Sequence, residues 1–177
     1  MNIISLKARH AIKAIDDGQI LQKLERYNPV VVSTILVGLD TEDSDIDIVC
    51  SYNSQLTFFR DLQSLVEEFS DGICKQRNNY VLARFKYAEF LFEIFGTNQK
   101  VEAQMAFRHY QIMQRLSRIG GTNFQNAVKT VKKTGIKTEP AIALILQLEG
   151  NPYHSVLSLE QLNDQEVEEL LLRSLNA

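Results

Sequence analysis

The sequence predicts an α/β (α+β) protein: a mixed sheet flanked by helices, followed by an all-helical C-terminal half. Short runs rich in β-branched and aromatic residues lie between Val30 and Phe95, bounded by turn signals. Amphipathic stretches at helical spacing precede and interrupt those runs, and beyond Gln99 the pattern is helical to the end. The shift near Gln99 divides the chain into an α/β core, residues 1–98, and a helical C-terminal subdomain packed on it, residues 99–177.

Leu6 to Tyr27 has apolar residues at helical spacing, with a break near Asp16-Asp17-Gly18, and ends at Asn28-Pro29 because a residue before proline is pushed out of the α region. Val30 to Val37 is β-branched and short, which predicts a buried strand fraying near Ser33-Thr34. Gly38 to Ser44 is a polar, acidic connection. Asp45 to Ser51 alternates acidic and apolar residues, so the carboxylates of Asp45 and Asp47 share one face of a strand and Ile46 and Ile48 the other. Leu56 to Phe69 is an amphipathic helix. Ile73 to Arg77, Tyr80 to Tyr87 and Phe90 to Phe95 are strands joined by tight turns. A long helix follows from Val101 to Ile119, ended by Gly120-Gly121, and another from Asn123 to Lys133. The next begins at Thr138, read as its cap with Pro140 in the first turn, and reaches Leu148. A short helix around Tyr153 to Leu157 and a last one from Leu159 to Leu175, capped by Ser158, complete the chain.

Bulk properties narrow the function classes. The chain has 177 residues, 45% hydrophobic and 23% charged, the mix of a folded globular protein. Its formal charge of −3 disfavours bulk duplex DNA as a partner, while a local basic pocket for a small phosphate ligand stays open. Cys50 and Cys74 form neither a disulfide framework nor a zinc pair, and no apolar run is long enough for a signal peptide or a membrane span. A cytoplasmic protein is expected.

The chemistry centres on Asp45 and Asp47. Two carboxylates one residue apart on a strand sit roughly 6–7 Å apart at Cα and repel one another unless a cation or solvent compensates. Hard oxygen ligands of this kind suit Mg2+ or Mn2+ and in-line attack on phosphorus. Glu93, inside Phe90-Leu91-Phe92-Glu93-Ile94-Phe95, is a third acid in an apolar run; it either joins the pair, faces solvent, or pairs with Arg84 or Lys86.

The stretch from Ser33-Thr34 through Gly38 to Asp45-Ile46-Asp47 resembles the signature of the nucleotidyltransferase superfamily (minimal nucleotidyltransferase, DNA polymerase beta-like): a small pair, about ten residues of turn and loop, then Asp-x-Asp in a strand. The segments Gln104 to His109, Gly135 to Ala141 and Gly150 to Tyr153 make the chain similar to one bacterial branch of unknown function. The resemblance implies that Asp45, Asp47 and Glu93 are the catalytic, metal-binding carboxylates, with Glu93 as third ligand or base. It implies Mg2+ or Mn2+ as cofactor and a nucleoside triphosphate as substrate, with Ser33 and Thr34 touching phosphate. The acceptor is open. Arg108, His109 and Lys137 are the candidate nucleotide-binding residues of the helical half.

Two departures stand beside that resemblance. Ser33 replaces the usual glycine, and Ile35-Leu36-Val37 follows where basic residues are usual. A β-branched run disfavours a phosphate-binding helix there. The alternative expectation is therefore a catalytically degenerate nucleotidyltransferase fold that binds a nucleotide, a metal or a protein.

Overall fold

Residues 5–175 are described by the structure, a computed structural model. Helix α1 spans Leu6–Asp17 and opens on Ser5, whose hydroxyl accepts the Ala8 amide. The expected break follows it: Gln19 takes a left-handed φ of 51°, and a short helix α2, Ile20–Lys23, and a 3₁₀ turn, Glu25–Tyr27, continue the chain.

The sheet has five strands: β1 Val30–Val31, β2 Ile46–Ser51, β3 Ser70–Gln76, β4 Tyr80–Tyr87 and β5 Phe90–Thr97, in the order β1-β2-β5-β4-β3. Only β2 and β5 run parallel. Helix α3, Gln55–Glu67, supplies the crossover after β2, with Ser54 capping it by accepting the Thr57 amide.

The strand expected over Val30 to Val37 stops after two residues. Thr34–Val37 is instead a 3₁₀ turn, because Ser33 Oγ accepts the Ile35 amide and Gly38 closes the turn at φ 72°. That turn distributes the β-branched run between two cores: Ile35 joins the cluster beneath the sheet, and Val37 and Leu39 join the cluster under the helical half.

The same alternation runs through the sheet. Ile46, Ile48 and Cys50 of β2, and Phe90, Phe92 and Ile94 of β5, pack with α1 and α3 in the first cluster. Val49, next on the Asp45–Asp47 face, packs in the second. Gly96 lets the ring of Phe58 lie directly on β5; a Cβ there would collide with it.

The helical half differs from expectation at three points. The long helix opens later than expected, because Val101–Ala103 is a 3₁₀ turn; α4, Met105–Lys132, is two helical stretches joined at Gly121, whose φ of 56° and ψ of −151° are non-helical, so Gly120-Gly121 separates them as expected. Helix α5, Thr138–Ile145, has Lys137 rather than Thr138 as its cap residue, with no side-chain cap bond. The final helical stretch is divided into α6 Pro152–Ser158, a 3₁₀ turn Leu159–Gln161 and α7 Asp164–Leu175. Asn163 opens α7 by accepting the amides of Gln165 and Glu166. Among the described residues no helix is long and apolar enough to cross a membrane.

Candidate active site

Asp47 faces Glu93 in register across the parallel β2–β5 pair, and Glu93 faces Arg84 across the antiparallel β4–β5 pair. All three lie on the sheet face opposite the first core, as the two-residue period of a strand requires. Asp45, expected as the first residue of the strand, lies just before β2, which begins at Ile46. Two bonds from the preceding segment hold the backbone here: Ser33 Oγ donates to the Asp45 carbonyl at 2.7 Å, and the Val32 amide to the Asp47 carbonyl at 2.8 Å. Gln104, at the start of α4, donates through Nε2 to the Cys50 carbonyl at 2.8 Å and fixes the far end of the strand.

Above this row is a cleft of about 910 Å³ between the sheet and the helical half. Thr34, Asp45, Asp47, Glu93, His109 and Lys137 line it, together with Arg84, Lys132 and Glu139. Most of the sequence-derived candidates therefore meet in one place, and two do not. Ser33 is wholly buried and directs its hydroxyl to the Asp45 backbone rather than to the cleft. Arg108 is bound to Glu160 through Nε, at 3.0 Å, and through its terminal nitrogen, and is not a lining residue. A second cavity, about 880 Å³, lies between the start of α1, the 3₁₀ turn Thr34–Val37 and α4, away from the carboxylates.

The electrostatics of the cleft are uneven. The Asp47 carboxyl is pushed up to about 8, first by burial, then by the charges of Asp45 and Glu93; Lys137 opposes the rise and Glu139 adds to it. Glu93, by contrast, has a partner: Arg84 Nε donates to its Oε2 at 2.5 Å and a second guanidinium nitrogen joins the ion pair. Among the described residues no three His, Cys, Asp or Glu side chains are grouped so as to hold a metal ion. A magnesium-like cation needs fewer: one or two protein carboxylates suffice when phosphate oxygens and water complete its shell. The donor chemistry of Asp45 and Asp47 fits that requirement, and the uncompensated charge felt by Asp47 is the kind a cation relieves.

The opposite wall carries the basic groups. Lys132 was not apparent from sequence. Because α4 continues past its kink, Lys132 returns to the cleft, where Nζ donates to the Leu39 carbonyl at 2.6 Å and burial lowers its pKa. Three residues earlier on the same helix, Lys129 lies 3.1 Å from Asp40, although that carboxylate oxygen is not aligned as a hydrogen-bond acceptor. Lys7 adds bonds to the carbonyls of Thr41 and Glu42, so lysines brace the acidic loop before Asp45. His109, on α4, is buried against α5 and α6: Nε2 lies 2.9 Å from the Tyr153 carbonyl and Nδ1 3.5 Å from Glu139.

The fold has counterparts among solved structures. A Cid1 poly(U) polymerase structure matches 88% of this chain at 16% identity with a TM-score of 0.59, over 50% of its own length. A cytoplasmic RNA terminal U-transferase matches 86% at 18% identity and TM-score 0.57, over 46% of its length. A GLD-2/RNP-8 complex matches 95% at 12% identity and TM-score 0.60, over 76% of that chain. The chain thus spans about half the length of the first two, and these likenesses establish a nucleotidyltransferase-like fold. No curated protein matches by sequence. The model of a domain of unknown function, DUF4269, matches residues 13–159, and the chain belongs to that family.

Proposed function

We propose that this chain is a metal-dependent nucleotidyltransferase that moves a nucleoside monophosphate from a nucleoside triphosphate to an acceptor hydroxyl. The observation that carries the proposal is the pairing of Asp47 with Glu93 on one sheet face, with Asp45 just before the strand, in a cleft shared with Lys132 and Lys137. In the reaction the acceptor oxygen bonds to the α-phosphorus, the bond to the β-phosphate oxygen breaks, and pyrophosphate leaves. A divalent cation held by Asp45 and Asp47 would supply charge neutralisation at the transferring phosphoryl group. Glu93 completes the carboxylate set and takes the acceptor proton.

Phosphate binding is assigned to the helical wall. The 3₁₀ turn Thr34–Val37 is only four residues long, and Ser33 is turned inward, which leaves Thr34 as the contact from this side. Helix α5 presents an N-terminus without a side-chain cap, beside Lys137 and Lys132, where free amides and the helix dipole favour an anion. His109 and Glu139 hold that helix end against α4. Arg108 is assigned to the α4–Glu160 contact instead.

The test is a thermal-shift series with Mg2+ or Mn2+ and each nucleoside triphosphate, on wild type and Asp47→Asn. Wild type is expected to gain metal-dependent stabilisation that Asp47→Asn lacks. Absence of any such stabilisation in wild type would refute the proposal. The engagement of Glu93 by Arg84 favours a second reading, a degenerate fold that binds nucleotide or metal without turnover. Pyrophosphate release separates the two: binding without release supports the second.

A further inference from the structure

We infer that Arg84 is the resident counter-cation of the carboxylate site and competes with a divalent cation for Glu93. The inference rests on the metal-binding proposal above and adds a residue that the resemblance did not supply.

The sheet register creates the competition. Asp47, Glu93 and Arg84 occupy directly facing positions on three adjacent strands. Side chains so placed have Cβ atoms about 4.5–5.5 Å apart, within reach of a long guanidinium. Among the described residues Arg84 uses that reach on Glu93, directing two nitrogens at Oε2. The next residue outward, opposite Arg84 on β3, is Ile73, which gives Arg84 no carboxylate on its other side. The neighbouring acid–base pair, Lys86 with Asp71, is already made at 2.8 Å.

The two partners are unequally exposed. Glu93 retains 23% of its side-chain accessibility and Arg84 53%, so the carboxylate is committed to the cleft while the guanidinium lies nearer its mouth. Arg84 also feels Asp45 and Asp47, and its pKa is raised, above all by its hydrogen bond to Glu93. An arginine stays charged at all accessible pH, so it cannot leave by deprotonation. A cation that recruits all three carboxylates must draw on a Glu93 carboxylate whose Oε2 and charge are already engaged by Arg84, whereas one using only Asp45 and Asp47 need not.

The competition predicts a gain of metal affinity when Arg84 is neutralised, and the gain must depend on Glu93. Calorimetric titration with Mn2+ alone, no nucleotide present, is run on wild type, Arg84→Met, Glu93→Gln and the double variant. Arg84→Met is expected to bind Mn2+ about threefold to tenfold more tightly than wild type, the range of a partly exposed charged pair. In the Glu93→Gln background the same substitution is expected to change affinity less than twofold. Arg84→Gln serves in place of Arg84→Met if the latter misfolds. Equal affinity in wild type and Arg84→Met overturns the inference while leaving the metal proposal intact. An equal gain in the Glu93→Gln background also overturns it, because the effect is then only the loss of a positive charge. If no variant binds Mn2+, the metal proposal fails and this inference fails with it.

Discussion

Replacing Asp47 by asparagine in metal-free protein should stabilise the fold, and increasingly so as pH rises. The carboxyl has a pKa of about 8 in the folded chain against 3.8 for the unperturbed group. The folded state therefore holds this proton more tightly than the unfolded state. Its contribution to stability is complete below the unfolded value and is lost as pH rises through about 8. At about 1.36 kcal/mol per pH unit the ceiling is about 6 kcal/mol. Asp47 is only half-buried, and water and counter-ions reach it, so about 2–3 kcal/mol is the realistic range. Asparagine keeps the shape and never ionises. Urea denaturation in chelator at about pH 3.5 and pH 8.5 measures the difference: the two proteins should be nearly equal at the lower pH, below the unfolded value of 3.8, and separate at the higher. Groups remote from the cleft are common to both, so the difference reports Asp47 together with its coupling to Asp45 and Glu93. A gap independent of pH, or an asparagine variant less stable at pH 8.5, would show that Asp47 is already compensated in the folded protein and would refute the electrostatic reasoning.

Further outcomes follow from particular contacts. Gly96→Ala drives a methyl group into the buried ring of Phe58 and should cost about 1–3 kcal/mol in chemical denaturation. Ser33→Ala removes the bond to the Asp45 carbonyl and the cap on Ile35; about 1–2 kcal/mol of stability should be lost, and calorimetry should show weaker Mn2+ binding. Arg115→Ala deletes bonds to the carbonyls of Leu159 and Leu162 and the ion pair with Asp164. It should cost about 2–3 kcal/mol and raise hydrogen exchange first in α7.

The sheet was legible because its signal is local. The alternation in Asp45 to Ile48 and the apolar run around Glu93 each fix which side chains share a face, and the strands found follow them closely. The errors came from information the local pattern does not contain. Val30 to Val37 reads as a strand by propensity, yet Ser33 and Gly38 impose a turn whose benefit is the burial of Ile35 and Val37 in different cores. Gly120-Gly121 reads as a stop followed by a second helix, and the chain does break at Gly121 and resume, with Phe124 and Val128 beyond it buried in the second core. Lys132 has no local signal of its place in the cleft, which rests on its bond to the Leu39 carbonyl, 93 residues away. The partner of Arg108 lies 52 residues away, beyond the reach of any spacing argument. The sequence offers Arg84 as a partner for Glu93, and the strand register shows why the pair forms.

Strand β2 also bears on how the molecule comes apart. Its two faces belong to different hydrophobic clusters, and the segment before it gives Val32, Val37 and Leu39 to the second. Removing residues 99–177 would strip the cover from those side chains and from Val49 while leaving the rest of the sheet intact. The N-terminal half is therefore expected to lose cooperativity when isolated. Denaturation of the whole chain should register as a single transition, with the geometry of Asp45 and Asp47 persisting only while both halves remain associated.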